Sequence, residues 1–324
     1  MLRTLIAALA LALTLPGTAG AQDWPNRPMT MVVAYAAGGP VDTIGRIFAQ
    51  RLSEILGQQV LVENVGGAGG MVGAARVAKS VPDGYTFLFG GLANLAQNQT
   101  LYKQPLYNAA TDFTPVGLVT DSPRVLIARK DFPATGLGEF IAYAKANHAK
   151  LQYGSAGGGS GSHVCAILLD GVIGARVTHV PYRGAGPAMQ DLIGGRLDYM
   201  CEQISTAFPQ IEAGAVKGIA ILGPERVSVL PNMVSAKEGG LGDFDCGAWS
   251  AVVLPLGAPD AIVRRLNKAA GEAIDTPAVR ERLSAVGVTV VAPERRSPEY
   301  LAKFIPDEIA KWAVPIKASG VSID

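Results

Sequence analysis

The sequence predicts an α/β protein of two domains joined by strands that cross between them. Three observations carry this expectation. The 324 residues exceed one typical core and suit two domains of roughly 150 residues each. Short apolar runs alternate with amphipathic stretches, the pattern of strands layered against helices. A strand-loop-helix-strand series appears near Met29 and again near Leu151, each reading as a parallel-sheet unit.

The N-terminus reads as an export signal. Arg3 supplies a positive start, and Leu5 to Leu15 is apolar apart from Thr14. That run is too short to span a bilayer, which takes about 20 residues. Pro16 and Gly17 break it, and Ala19-Gly20-Ala21 is a small-x-small cleavage site. Cleavage is therefore expected after Ala21, releasing a periplasmic chain that begins at Gln22. No later segment is long and apolar enough to cross a membrane.

Met29 to Ala34 (MTMVVA) reads as a strand and Tyr35 to Gly39 as a loop. Pro40 to Leu56 reads as a helix, because Ile44, Ile47, Phe48, Leu52, Ile55 and Leu56 recur at helical spacing. Gly57 ends it. Val60 to Glu63 is the next strand. Gly66 to Gly70 is a loop leading into a helix up to about Ser80, and Tyr85 to Phe89 is a third strand. The second series places strands at Leu151 to Ser155, Val177 to Pro181 and Leu197 to Cys201. Between them lie helices at Ser162 to Ile173 and Pro187 to Ile193. Val116 to Arg129 and Ala248 to Leu254 read as long strands without turn chemistry, expected to cross between the domains. The stretch from Pro259 onward is helical and is expected to pack back on the first domain. The expected division is a signal peptide at 1–21, domain I at 22–123 and 249–324, and domain II at 124–248.

Composition narrows the function. Apolar residues at 49% and charged residues at 17% describe a chain that buries cores. A net charge of +1 leaves no basic surplus for phosphates, which argues against nucleic acid as a partner. Cys165, Cys201 and Cys246 match no zinc ribbon and no C-x-x-C spacing. Their apolar neighbours read as buried thiols, and a Cys201–Cys246 bridge stays open in the oxidising compartment that export implies.

The chemistry lies in a recurring strand, glycine-rich loop and helix. Gly38-Gly39 precede Pro40, whose missing N–H costs nothing at a first helical position. Asp42 then falls in the first turn, at the positive helix end. Gly66 to Gly70 precede the second helix. Ser155 to Ser160, containing Gly157, Gly158 and Gly159, precede the third, and Gly184 to Gly186 precede Pro187. Glycine lets a ligand approach the backbone, and bare N–H groups at a helix head favour an anion. Two such loops facing each other predict a site for a small carboxylate, with the Ser155, Ser160 and Ser162 hydroxyls beside it. Each loop alone is equally an ordinary turn of an α/β fold. His163 lies one turn into the third helix, facing a cleft or capping the helix. Arg183, in a loop at a strand's end, suits a bidentate carboxylate pair or an ordinary solvated surface. Glu202 and Gln203 end a strand on the side where α/β ligands bind. Gln203 both donates and accepts, whereas Glu202 repels an anion and is assigned a positioning role.

Enzyme signatures are absent from the sequence. Around Ser160 no G-x-S-x-G elbow forms, since Ser162 stands at the second glycine. Gly67-Ala68-Gly69 lacks the third glycine of a dinucleotide loop, having Val72 there. His148, His163 and His179 do not group as metal ligands. The expectation is no catalytic residue, no metal and no cofactor.

The segments DWPNRPMTMVVAYAAGGPVD, VENVGGAGG, PDGYTFLFG, LYKQPLYNAATDFTPVGLV, YGSAGGGSGSH, VTHVPYRGAGPAMQDLIGGRLDYMCEQ, ERVSVLPNMVSAKEGG and GAWSAVVLPLGAPDAIVRRLN resemble the solute-binding proteins of tripartite tricarboxylate transporters, the Bug family. Together they cover nearly the whole mature chain. The resemblance implies a two-domain periplasmic-binding-protein (Venus-flytrap) fold with crossover strands at the hinge. It implies a carboxylate ligand, a di- or tricarboxylate or an aromatic acid, gripped by Tyr35 to Asp42 and Ser155 to His163. It also implies delivery to integral-membrane permease subunits, and the receptor itself is expected to be a monomer. The chain departs from the family at Ala37, usually Pro, and at Ala93 to Asn98, usually Ser-Thr-His-Ala-Ile-Asn, where Asn94 is expected to replace lost hydroxyl contacts. An Asp is common where Glu202 stands. An exported hydrolase or isomerase on a similar scaffold, or a sensory subunit binding the same solute, are the alternative readings.

Overall fold

The computed structural model describes residues 24–324. The export signal and the cleavage site after Ala21 lie outside the described residues. Among the described residues no helix is long and apolar enough to cross a membrane.

Two sheets organise the chain. The first holds β1 (Met29–Val33), β2 (Val60–Asn64), β3 (Thr86–Gly91), β4 (Phe113–Ser122), β10 (Ala248–Pro255) and β11 (Thr289–Val290), in the order β11-β4-β10-β3-β1-β2. β1 runs parallel to β2 and β3, while β10 is antiparallel to β3 and β4. The second holds β5 (Arg124–Arg129), β6 (Gln152–Ser155), β7 (Thr178–Pro181), β8 (Tyr199–Gln203) and β9 (Val216–Ile221), in the order β7-β6-β8-β5-β9. Here β6 is parallel to β7 and β8, and β5 is antiparallel to β8 and β9.

Each sheet is covered on both faces, so each has two apolar layers. Under the first, α1 (Pro40–Leu56) buries Ile44, Ile47, Phe48, Leu52 and Leu56. Each large side chain so buried contributes about 1.5–3 kcal/mol. Pro40 starts this helix, and Gly57 ends it in a left-handed conformation at φ 67°. On the opposite face lies α2 (Met71–Ala78), then a π-helical segment (Ala93–Gln97) running into the single turn α3 (Asn98–Leu101). The second sheet is flanked by α4 (Leu137–Asn147) and α5 (Gly161–Ile173) on one side, and by α6 (Ala185–Ile193) and α7 (Ile204–Glu212) on the other. The C-terminal helices α8 (Asp260–Asp275), α9 (Pro277–Ser284) and α10 (Pro298–Ala318) return to the first sheet, packing on α1, β4 and the π-helical segment.

The crossovers differ from the sequence expectation. The single strand read from Val116 to Arg129 is two strands in different sheets, parted at Pro123. Proline has no N–H for the ladder, so pairing stops there; its carbonyl instead accepts from Ile204 N at 3.0 Å. The run from Ala248 to Leu254 does not itself cross. It is the interior of β10, buried at every position and paired within the first sheet. The return crossing falls just before it, where Cys246 N still bonds Leu222 O, just past β9, at 2.9 Å. Cys165, Cys201 and Cys246 are free, buried thiols in one apolar layer of the second sheet, so the Cys201–Cys246 bridge left open by the sequence is not formed.

Candidate functional site

The parallel strands β1, β6 and β8 end at the gap between the sheets, and the loops after them line a small cavity of about 40 Å3. Four helix heads converge on it: Gly39, Pro40 and Val41 of α1, Ser160, Gly161 and Ser162 of α5, Ala185 of α6, and Gln203 just ahead of α7. The first N–H groups of each helix have no intrahelical acceptor, and the helix dipole makes these ends positive. Tyr35 and Trp249 supply the aromatic walls.

Arg124, the first residue of β5, also lines this cavity and is 4% exposed. Among the described residues its guanidinium has no ion pair and no hydrogen bond. A Cβ on Gly161 would overlap its Nη2, so glycine there makes room for it against the head of α5. A cation and a positive helix end thus share one buried spot, and among the described residues the neighbouring Glu202 carboxyl makes no ion pair with it. Such an arrangement is unfavourable until an anion enters.

Glu202, 1% exposed, is the acid of the cavity wall. Its Oε1 accepts from Gln203 N at 3.0 Å and from Thr206 Oγ1 at 3.0 Å, while its Oε2 has no partner. Burial pushes this carboxyl above its ordinary range, and the charge of Arg124 opposes that rise. Trp249 Nε1 donates to Glu308 Oε2 at 2.9 Å, and its ring meets Phe304 edge-on at 5.2 Å between centroids. The same indole borders a wider groove behind the hinge, lined also by Trp312 and Arg295.

Of the residues singled out in the sequence, Tyr35, Gly39, Ser160, Ser162, Glu202 and Gln203 line the cavity together. The others lie behind it or at its seam. Burial alone raises the Asp42 carboxyl, but hydrogen bonds from Arg46, Gly38 N–H and Asn64 hold it below its usual range. Asp42 therefore braces the loop and consumes the Gly38 amide. Asn94 Oδ1 accepts from Gly91 N at 2.8 Å, and its Nδ2 is buried without a partner. Ser155 is fully buried and bonds His179 Nε2 at 2.6 Å. His163 Nδ1 accepts from Gly159 N at 3.1 Å, and its ring stacks on His179 at 4.0 Å. Burial, then the neighbouring His179, lowers His163 to about 3, so it caps a loop as a neutral ring. Arg183 is exposed beside a separate surface depression, and its carbonyl accepts from Ala36 N at 3.3 Å.

Gly157, Gly158 and Gly159 do a different job from the one their composition implies. They meet the Gly66–Gly70 loop of the other sheet backbone to backbone. A Cβ on Gly69 (φ 58°) would overlap Gly158 O. A Cβ on Gly157 would lie 2.8 Å from Tyr182 O, and Tyr102 Oη donates to Gly158 O at 2.9 Å. These glycines form the seam along which the two sheets touch.

Residues 44–321 match the tripartite tricarboxylate transporter family receptor, TctC. A protein from the TAR-I ttuE-ttuC' intergenic region of Agrobacterium vitis is 42% identical over 318 residues, covering 97% of this chain and 91% of that one. Among solved structures, the periplasmic binding protein BugD is 37% identical with a TM-score of 0.90, over 92% of this chain and 99% of that one. MatC from Rhodopseudomonas palustris, solved with bound malate, is 40% identical with a TM-score of 0.88, over 90% of this chain and 100% of that one. The chain belongs to the tripartite tricarboxylate transporter receptors, periplasmic solute-binding proteins of the two-domain Venus-flytrap fold.

Proposed function

We propose that this receptor captures a small organic carboxylate, a di- or tricarboxylate or an aromatic acid, and passes it to integral-membrane permease subunits without catalysing a reaction. The observation that carries the reading is Arg124, a buried cation facing the cavity that makes no ion pair among the described residues. One carboxylate on its planar fork would form charge-assisted bonds of about 1.5–3 kcal/mol each. The helix heads at Gly39, Ser160 and Ala185 add amide donors to the same cavity, and Tyr35 and Gln203 complete the proposed wall. The malate found in MatC, at 40% identity, is a ligand of this class.

The proposed chain acts as a monomer of two units, 22–123 with 249–324, and 124–248, after removal of 1–21. The strand membership of the two sheets and the break at Pro123 support this division. Closure of the two units over the acid is a hinge motion.

A thermal-shift screen of the mature protein against mono-, di- and tricarboxylates and aromatic acids tests the reading. A ligand held only by the folded form, at 100 times its Kd, adds about 2.7 kcal/mol and raises Tm by several degrees. If sugars or amines raise Tm and no acid does, the carboxylate assignment is wrong.

A further inference from the structure

We propose that the bound acid carries a hydrogen-bond donor, a hydroxyl or an ammonium group, on the carbon next to a carboxylate, and that Arg124 and Glu202 read the two groups together. This rests on the carboxylate reading above and specifies what must stand beside the carboxylate.

Arg124 offers only donors and the orphaned oxygen of Glu202 offers only an acceptor when ionised. The register of β5 and β8 sets Arg124 opposite Gln203, one residue from Glu202. Both side chains nevertheless reach the one cavity, and the charge of Arg124 acts on Glu202, yet among the described residues Glu202 Oε2 has no partner, so the guanidinium does not reach it. Both are nearly fully buried and both line the one cavity. Oε1 of Glu202 is already held by Gln203 N and Thr206 Oγ1, which fixes the carboxyl and leaves Oε2 as its free position. A plain carboxylate on Arg124 would leave Oε2 unsatisfied and add a second acid next to it. An α-hydroxyl or α-ammonium group on the same ligand gives Oε2 the donor it lacks. Sites with a buried group of this kind discriminate strongly against analogues that cannot pair with it.

Isothermal titration of the mature protein with matched diacids of four to six carbons, each unsubstituted, α-hydroxylated or α-aminated, tests the proposal. The expected result is that, at the chain length that binds, one substituted acid binds about tenfold or more tightly than its unsubstituted partner. Which of the two substituents is preferred identifies the donor. In Glu202→Gln, which exchanges the acceptor for an amide, the preference should collapse, whereas Arg124→Met should weaken all members alike. The proposal is overturned if the wild-type protein binds the unsubstituted acid as tightly, a result that needs no variant to fold. It is also overturned if Glu202→Gln keeps a native circular dichroism spectrum and the original preference. Binding of unsubstituted acids alone would leave the carboxylate reading standing. Binding of no acid would remove both.

Discussion

Burying a guanidinium that makes no ion pair costs several kcal/mol in a protein interior. Arg124 carries that cost at the start of β5, beside the head of α5. Replacing it with Met keeps the volume and removes the charge. Arg124→Met should therefore weaken carboxylate binding by about tenfold to a hundredfold, as titration calorimetry would read, and should not lower the Tm of the ligand-free protein. Arg124→Lys should fall between, because it restores a charge without the planar fork. Unchanged affinity in Arg124→Met would detach this residue from the ligand. Nothing in the sequence pointed here. RVLIAR reads as a strand with charged ends, and charged strand ends are normally solvated. Burial of this one depends on Gly161, 37 positions later, giving up its side chain.

The glycine-rich loops show what was legible at the level of elements and what was not. Their positions between strand and helix are plain in the sequence, and so is the helix start at Pro40; the helix expected from Ser162 begins one residue earlier, at Gly161. Sequence alone does not say which loops face a ligand and which face each other. Gly39 borders the cavity, and a Cβ there would sit at ordinary distances, 3.6 Å from Ala36 O and 3.7 Å from the Ala185 Cβ across the cleft. Gly69 is different: its φ of 58° and its overlap with Gly158 O leave no room for a methyl group. Gly69→Ala should obstruct closure and lower affinity at least about tenfold, with strain of roughly 1 kcal/mol on the fold. Gly39→Ala should bind nearly normally. Parallel titrations and urea unfolding curves would separate the two, and equal affinities would contradict the seam. The break between β4 and β5, and the placement of Ala248 to Leu254 within one sheet, escape the sequence for a related reason. Apolar runs look continuous across Pro123, while ladder membership is set by partners distant in sequence.

For the whole molecule, buried titratable groups set the response to acid. Burial lowers His163 to about 3 and His179 to about 4, from an ordinary value near 6.5. The unfolded chain binds these protons more readily than the folded one. Their contribution is thus complete above pH 6.5 and is lost as pH falls toward the folded values. Asp170 works the other way: burial raises it to about 6, against hydrogen bonds from Tyr199 and Val177. Its contribution is present below its ordinary value of 3.8 and lost as pH rises through 6. Two histidines with the larger shifts outweigh one acid. Stability should therefore fall as pH drops from 6.5 to 4, and melting scans across that range would show it. His163→Gln should flatten the slope, and an identical slope in that variant would rule the histidine out as its source.

Trp249 separates the chamber between the sheets from the groove behind the hinge, with its indole N–H tied to Glu308. A close-packed ring cannot shift on one side without its other face moving too. The protein consequently has an optical gauge built into its partition: the emission of one indole responds both to what fills the interior and to how far the halves have swung.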